Sequence, residues 1–240
     1  MIRLLHPPGR DLSQLAWWPD CVHLLEPVAA SDAEKPLAEI ERSPYLRLNG
    51  DGLELVDRRF SGGFCLKAEE VDRHAKSTSF LCRAAGVIGV EFRVLDMFAG
   101  FGVDGLALAR HADVTLVEQN PIAFVLLREF ADRLGIRADI KLGDGPEELS
   151  KAITSAYEVV YLDPMFPIRN KKALPNRGMQ HLRALDVSEP YSEAGVTNLI
   201  ELARGCALDR VVLKRRLRDP QIGKPNFSLK GRTVRFDVYR

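Results

Sequence analysis

The chain lacks any apolar run near the ~20 residues that a membrane-spanning helix requires. Its first ten residues, MIRLLHPPGR, hold no long hydrophobic stretch, so the expectation is a cytoplasmic rather than a secreted protein. Cysteine is sparse. Cys21, Cys65, Cys82 and Cys206 stand far apart with no CxxC pair, which argues against zinc and thiol-redox motifs and against a disulfide framework. No metal is expected. Repeats and low-complexity tracts are also missing, and neither sign of charge dominates: 34 Lys and Arg face 33 Asp and Glu. That balance is uneven along the chain, because residues 161–240 carry 16 basic and 8 acidic side chains. A basic C-terminal third suits a polyanionic partner as well as a solvated surface.

What is present is the composition of a globular protein, 46% apolar and 28% charged over 240 residues, enough to bury a sizeable core. Six prolines between Pro7 and Pro44 preclude one long helix there and predict short strands and loops in a small N-terminal lobe, residues 1–66. YLRLNGDGLELV (45–56) alternates apolar and polar residues around a turn and predicts a hairpin. Residues 67–86 have helical periodicity with a stop at Gly86.

From there strands and helices alternate. Strands are expected near 92–98, 114–118, 140–142, 157–163 and 210–214, with helices between them and a closing hairpin around Lys230-Gly231. Asn120-Pro121 opens one helix as N-cap and first helical residue, and Gly135 closes it. The pattern predicts an α/β fold in residues 67–240, a mostly parallel, seven-stranded Rossmann-like sheet with an antiparallel C-terminal edge hairpin. Ligands of such sheets bind beyond the carboxyl ends of the strands.

Asp96-Met-Phe-Ala-Gly100-Phe-Gly102-Val103-Asp104-Gly105 places GxGxxG between a strand and a helix, where glycines allow a tight turn and close approach of a ligand. Glu118 ends the second strand, where a carboxylate can accept from two ribose hydroxyls. Asp144-Gly145 follows the third strand, where an acid can take an adenine amine or cap a helix. These features suit a dinucleotide or S-adenosylmethionine. The acidic lining, with Asp96 and Asp104, favours the cationic methyl donor over a pyrophosphate.

Asp163-Pro164-Met165-Phe166 leaves the fourth strand at the same sheet edge. It resembles the [DN]-P-P-[YF] motif of amino-group methyltransferases, with Met165 in place of the second proline. An exocyclic base amine is a poor nucleophile because its lone pair is delocalised into the ring. The Asp163 carboxylate and the Pro164 carbonyl can accept its two N–H bonds, and Phe166 offers a face for stacking. The motif leaves the target open between adenine, cytosine and guanine amines.

Several segments together resemble one family. DPMFP with Lys171, Ala173-Leu174 and Met179, then VVLKR (211–215) and the closing Lys230-Gly231…RFDVY (235–239), are similar to the ribosomal RNA small subunit methyltransferase J family. DMFAGFGVDG (96–105) and VEQNP (117–121) match its cofactor segments. The resemblance covers about residues 53–240. It departs at Val103, usually Arg, at Asp144-Gly145, usually a small hydroxyl pair, and at Pro175, which interrupts a basic run. The resemblance implies methylation of a guanosine N2 amine in 16S ribosomal RNA, free or in an assembling 30S subunit. It also implies cofactor contacts at Val103, Asp104, Glu118, Gln119, Asp144, Gly145 and Asp163. The basic residues Arg169, Lys171, Lys172, Arg177, Lys214 and Arg215 are then candidates for holding RNA phosphates. Three other readings are an adenine-N6 methyltransferase on RNA or DNA, an NAD(P)-dependent oxidoreductase, and a non-catalytic RNA-binding protein.

Overall fold

The computed structural model describes residues 1–30, 44–87, 92–151, 156–165, 175–185 and 189–240. Five strands form the parallel heart of a seven-stranded sheet: β5 (Arg93–Asp96), β6 (Asp113–Glu118), β7 (Asp139–Leu142), β8 (Tyr157–Leu162) and β9 (Ala207–Arg216). The hairpin β10 (Phe227–Lys230) and β11 (Val234–Tyr239) completes the order β10-β11-β9-β8-β5-β6-β7, with β11 antiparallel to β9.

The inner strands read as unbroken apolar runs because both faces of the sheet are covered. Successive residues enter opposite cores. Val94, Val159, Tyr161 and Val212 join one cluster, while Leu95, Val160, Leu162, Val211 and Leu213 join the other. The second cluster is closed by α6 (Gly145–Lys151) and α8 (Glu193–Cys206). The first takes α2 (Ala68–His74), α3 (Phe80–Ala85), α4 (Val103–Ala109) and α5 (Pro121–Arg133). It also takes the apolar side of a separate four-stranded sheet of order β2-β1-β3-β4, made of β1 (Ile2–His6), β2 (Leu25–Ala29), β3 (Tyr45–Asn49) and β4 (Gly52–Val56). A short helix, α1 (Trp18–Cys21), connects within this N-terminal part. The two sheets thus share one continuous core. Arg133 of α5 links them by donating to the Leu66 carbonyl at 3.0 Å while pairing with Glu129 at 2.8 Å.

Helix boundaries follow local chemistry. The Asn120 side chain accepts from the N–H groups of Ile122 and Ala123, as an N-cap should. Residues 67–86 form two helices rather than the single one expected. Ser77-Thr78-Ser79 favours capping over helix continuation, and the Ser79 hydroxyl accepts from Cys82 N–H to start α3. A helix not anticipated, α7 (Arg177–Leu185), starts where the Asn176 side chain accepts from Met179 N–H at 2.8 Å. Strand β9 runs two residues past its expected end, so Lys214 and Arg215 lie within the sheet.

The closing RFDVY segment is a clamp. Arg235 donates through Nε to Asp237 at 3.0 Å, and through Nη1 to the carbonyls of Arg216, Leu217 and Asp219. Tyr239 donates to the Ile222 carbonyl at 2.7 Å. Together they fasten residues 216–222 against β11. Asp237 is fully buried, so Arg235→Met leaves it without its guanidinium partner. The expected cost is about 3–5 kcal/mol of unfolding free energy, measured by chemical denaturation.

Candidate active site

The carboxyl ends of β5, β6, β8 and β9 open into a cavity of ≈ 350 Å³, within the range of small-molecule sites. The glycine turn forms its floor. Gly102 has φ +78°, a left-handed conformation that other side chains rarely adopt. Gly105 lets α4 approach the sheet, since a Cβ there would stand 2.0 Å from Leu116 Cδ2 and 2.6 Å from Asp96 Oδ2. Glu118 locks the turn, as its two carboxylate oxygens accept from Gly100 N–H and Asn120 N–H, each at 2.7 Å.

Strand register brings the acidic groups together. Asp96 stands beside Tyr161. Leu162 pairs with Leu213, so Asp163 and Lys214 leave neighbouring parallel strands side by side. The Lys214 ammonium lies 2.8 Å from Asp163 Oδ2 and 2.5 Å from Asp104 Oδ2. Asp104 is a hub: the Tyr161 hydroxyl donates to it at 2.6 Å, and His74 Nδ1 lies 2.5 Å from its other oxygen.

Burial pushes the Asp104 carboxyl up, but Lys214 and His74 outweigh it and hold the group well below the usual carboxylate range. Asp163 goes the other way. Burial raises it, Asp104 adds to that, and Lys214 opposes without cancelling it. Asp96 rises furthest above its ordinary value, from burial first and then from the neighbouring carboxylates Asp104 and Asp163, with Phe98 N–H at 3.2 Å opposing. Lys214 is held charged, its burial outweighed by the two carboxylates. Environments that drive neighbouring carboxyl groups in opposite directions are a mark of functional sites.

Of the residues singled out in the sequence, Asp96, Gly100, Val103, Asp104, Glu118, Gln119, Asp163 and Pro164 line this one cavity. Gly102 lies behind the wall, where a Cβ would meet Leu127. Asp144 and Gly145 are not among the lining residues: the Asp144 side chain accepts from Glu147 N–H at 2.9 Å and caps α6, and Gly145 sits against the Met97 carbonyl. Phe166, Arg169, Lys171 and Lys172 lie outside the described residues. The remaining basic residues named for RNA are engaged within the protein. Arg177 donates to the carbonyls of Ser61 and Gly62. Arg215 is buried and donates to Pro220, and Lys214 bridges two carboxylates. Lys214 and Arg215 still line the cavity, together with Arg73, Arg183 and Arg216.

Sequence reasoning missed His74 and the role of Tyr161. Tyr161 was detectable, because it lies two residues before Asp163 on a strand and therefore on the same face. His181 is fully buried between the rings of Phe60 and Phe64 at centroid distances of 4.5 and 5.2 Å. Phe64 and Leu66 from the N-terminal part supply one wall of the cavity.

The site fits S-adenosylmethionine: a glycine turn locked by a carboxylate, the carboxyl groups of Asp96, Asp104 and Asp163 close by, and a cavity of suitable size. It also fits the comparisons with known proteins. Residues 46–240 match the SAM-dependent methyltransferase family. The chain is 36% identical over 202 residues to a ribosomal RNA small subunit methyltransferase J of Pseudomonas aeruginosa, an alignment covering 79% of this chain and 71% of the relative. A protein of the same name from Magnetococcus marinus is 38% identical over 171 residues, covering 66% of each. A solved SAM-dependent methyltransferase of Neisseria gonorrhoeae shares the fold, with a TM-score of 0.66 at 20% identity, covering 99% of this chain and 95% of that one.

S-adenosylhomocysteine should therefore raise the melting temperature in a concentration-dependent way, and NAD should not. Glu118→Gln leaves one of two backbone N–H groups without an acceptor. It is expected to weaken S-adenosylhomocysteine binding about tenfold or more by calorimetry. The glycine turn, the acid-walled cavity and the relatives agree: the chain belongs to the ribosomal RNA small subunit methyltransferase J family of S-adenosylmethionine-dependent methyltransferases.

Proposed function

We propose that this enzyme methylates the exocyclic N2 amine of a guanosine in small-subunit ribosomal RNA, with free RNA or an assembling 30S subunit as substrate. The observation that carries the reading is Asp163-Pro164 at the exit of β8, on the wall of the cavity that also holds the glycine turn and Glu118. The names of the relatives supply the class of RNA and the family resemblance supplies the atom.

The cofactor supplies a methyl carbon made electrophilic by its sulfonium. The chain's own residues prepare the other reactant. Asp163 and the Pro164 carbonyl accept the two N–H bonds of the amine, which draws electron density onto nitrogen and aims its lone pair into the cavity. As nitrogen becomes bonded to carbon, Asp163 is placed to take the proton it sheds. Proline fixes the backbone of this exit, so the acceptors are set before the base arrives. Arg183 and Arg216 stand where RNA phosphates would approach. Residues 1–66 act as a lobe that walls the cavity through Phe64 and Leu66.

Asp163→Ala should lower methyl transfer by at least about a hundredfold, far more than it weakens S-adenosylhomocysteine binding measured by calorimetry. Nucleoside mass spectrometry of ribosomal RNA from cells with and without the gene names the base. Loss of N2-methylguanosine supports the reading, loss of N6-methyladenosine replaces it, and an unchanged nucleoside profile removes it.

A further inference from the structure

Lys214 belongs by sequence to a basic segment suited to RNA phosphates, yet its ammonium is committed inward. It touches Asp104 at 2.5 Å and Asp163 at 2.8 Å, both through Oδ2. Asp104 is itself fixed from two further elements, by His74 of α2 and Tyr161 of β8. A line of contacts therefore runs from α2 and the central strand, through Asp104 and Lys214, to one oxygen of Asp163. That leaves Asp163 Oδ1 for the incoming amine.

We propose that Lys214 is a positioning residue for methyl transfer: anchored by Asp104, its ammonium holds one oxygen of Asp163 so that the carboxylate stays ionised with its other oxygen turned to the target amine. The inference rests on the reading of Asp163 as the amine acceptor. The physical need for it is electrostatic. Asp163 shares a half-buried setting with Asp104 of α4 and Asp96 of β5, where like charge and desolvation both favour a proton on the carboxyl. A protonated Asp163 becomes a donor at one oxygen and repels the amine hydrogens it should accept. Among the described residues, Lys214 of β9 is the cation in direct contact with it. The Tyr161 hydroxyl and His74 stand on Asp104, while Arg183, Glu189 and Arg216 line the same cavity.

The test compares Lys214→Met, Lys214→Gln and Lys214→Arg in the full chain, with two readouts. The first is the ¹³C NMR titration of the Asp163 carboxyl carbon in the S-adenosylhomocysteine complex, identified by its loss in Asp163→Asn. The second is the acid limb of the kcat–pH profile. With Met or Gln, both midpoints should move to higher pH by about one to three units, the effect of removing an opposite charge in contact. Turnover should recover substantially at alkaline pH. Arg should keep both near wild type, and S-adenosylhomocysteine affinity should change only a few-fold. If Met prevents folding, Gln carries the same comparison. An NMR midpoint that does not move overturns the role of Lys214. Full turnover by Asp163→Ala overturns the acceptor reading instead, and the NMR arm still reports whether Lys214 controls Asp163.

Discussion

One buried carboxylate organises this site. Asp104 is only 8% exposed and receives His74, Tyr161 and Lys214. An ionised group taken out of water costs several kcal/mol unless it is paired and hydrogen-bonded, so its partners are not interchangeable decoration. They come from α2, β8 and β9, elements far apart in sequence, and their convergence fixes where those elements stand. The position of Lys214 follows from Asp104, and the position of Asp163 follows from Lys214. Strand register makes this possible, since Tyr161, Asp163 and Lys214 all leave their strands on the same face of the sheet.

Much of the fold was legible in the sequence for a simple reason. Parallel strands covered on both faces are short apolar runs, and the helices between them carry caps such as Asn120-Pro121 and Gly135 at their ends. The breaks were harder. The 67–86 stretch keeps a helical period through a segment where Ser79 restarts the chain, and periodicity cannot register a cap that interrupts it. Helix α7 escaped notice because Pro175-Asn176 reads equally well as a turn. In the site, Asp163-Pro164 and the glycine turn were recognisable as local patterns. Partnerships were not. A single His on a helix gives no sign that it will meet Asp104 from thirty residues away. Asp144 shows the same limit: a carboxylate after a strand can meet a ligand or cap a helix, and here it caps α6.

Charge counting is limited for a related reason. The C-terminal third is basic, but many of its cations are consumed internally. Lys214 and Arg215 are adjacent on β9, and neighbours on a strand point to opposite faces. Lys214 enters the cavity, while Arg215 turns to the Pro220 carbonyl that Arg235 also holds. RFDVY makes the same point, because Arg235, Asp237 and Tyr239 secure the end of the sheet and are not among the residues lining the cavity. A motif that identifies a family can be structural in whole or in part.

The distribution of charge around the cavity also bears on turnover. Asp96, Asp104, Glu118 and Asp163 bring four carboxyl groups to its walls, with Lys214 the ammonium shared between two of them. Asp96 has the Phe98 N–H at 3.2 Å and two carboxylates nearby, and burial holds it well above its ordinary value. A positively charged ligand relieves that repulsion, whereas a neutral one of the same shape relieves less. The methyl donor carries a sulfonium, and its demethylated product carries a neutral thioether. In the reaction proposed above, Lys214 limits how far the mutual repulsion of these carboxyl groups can go before Asp163 takes up a proton and ceases to accept.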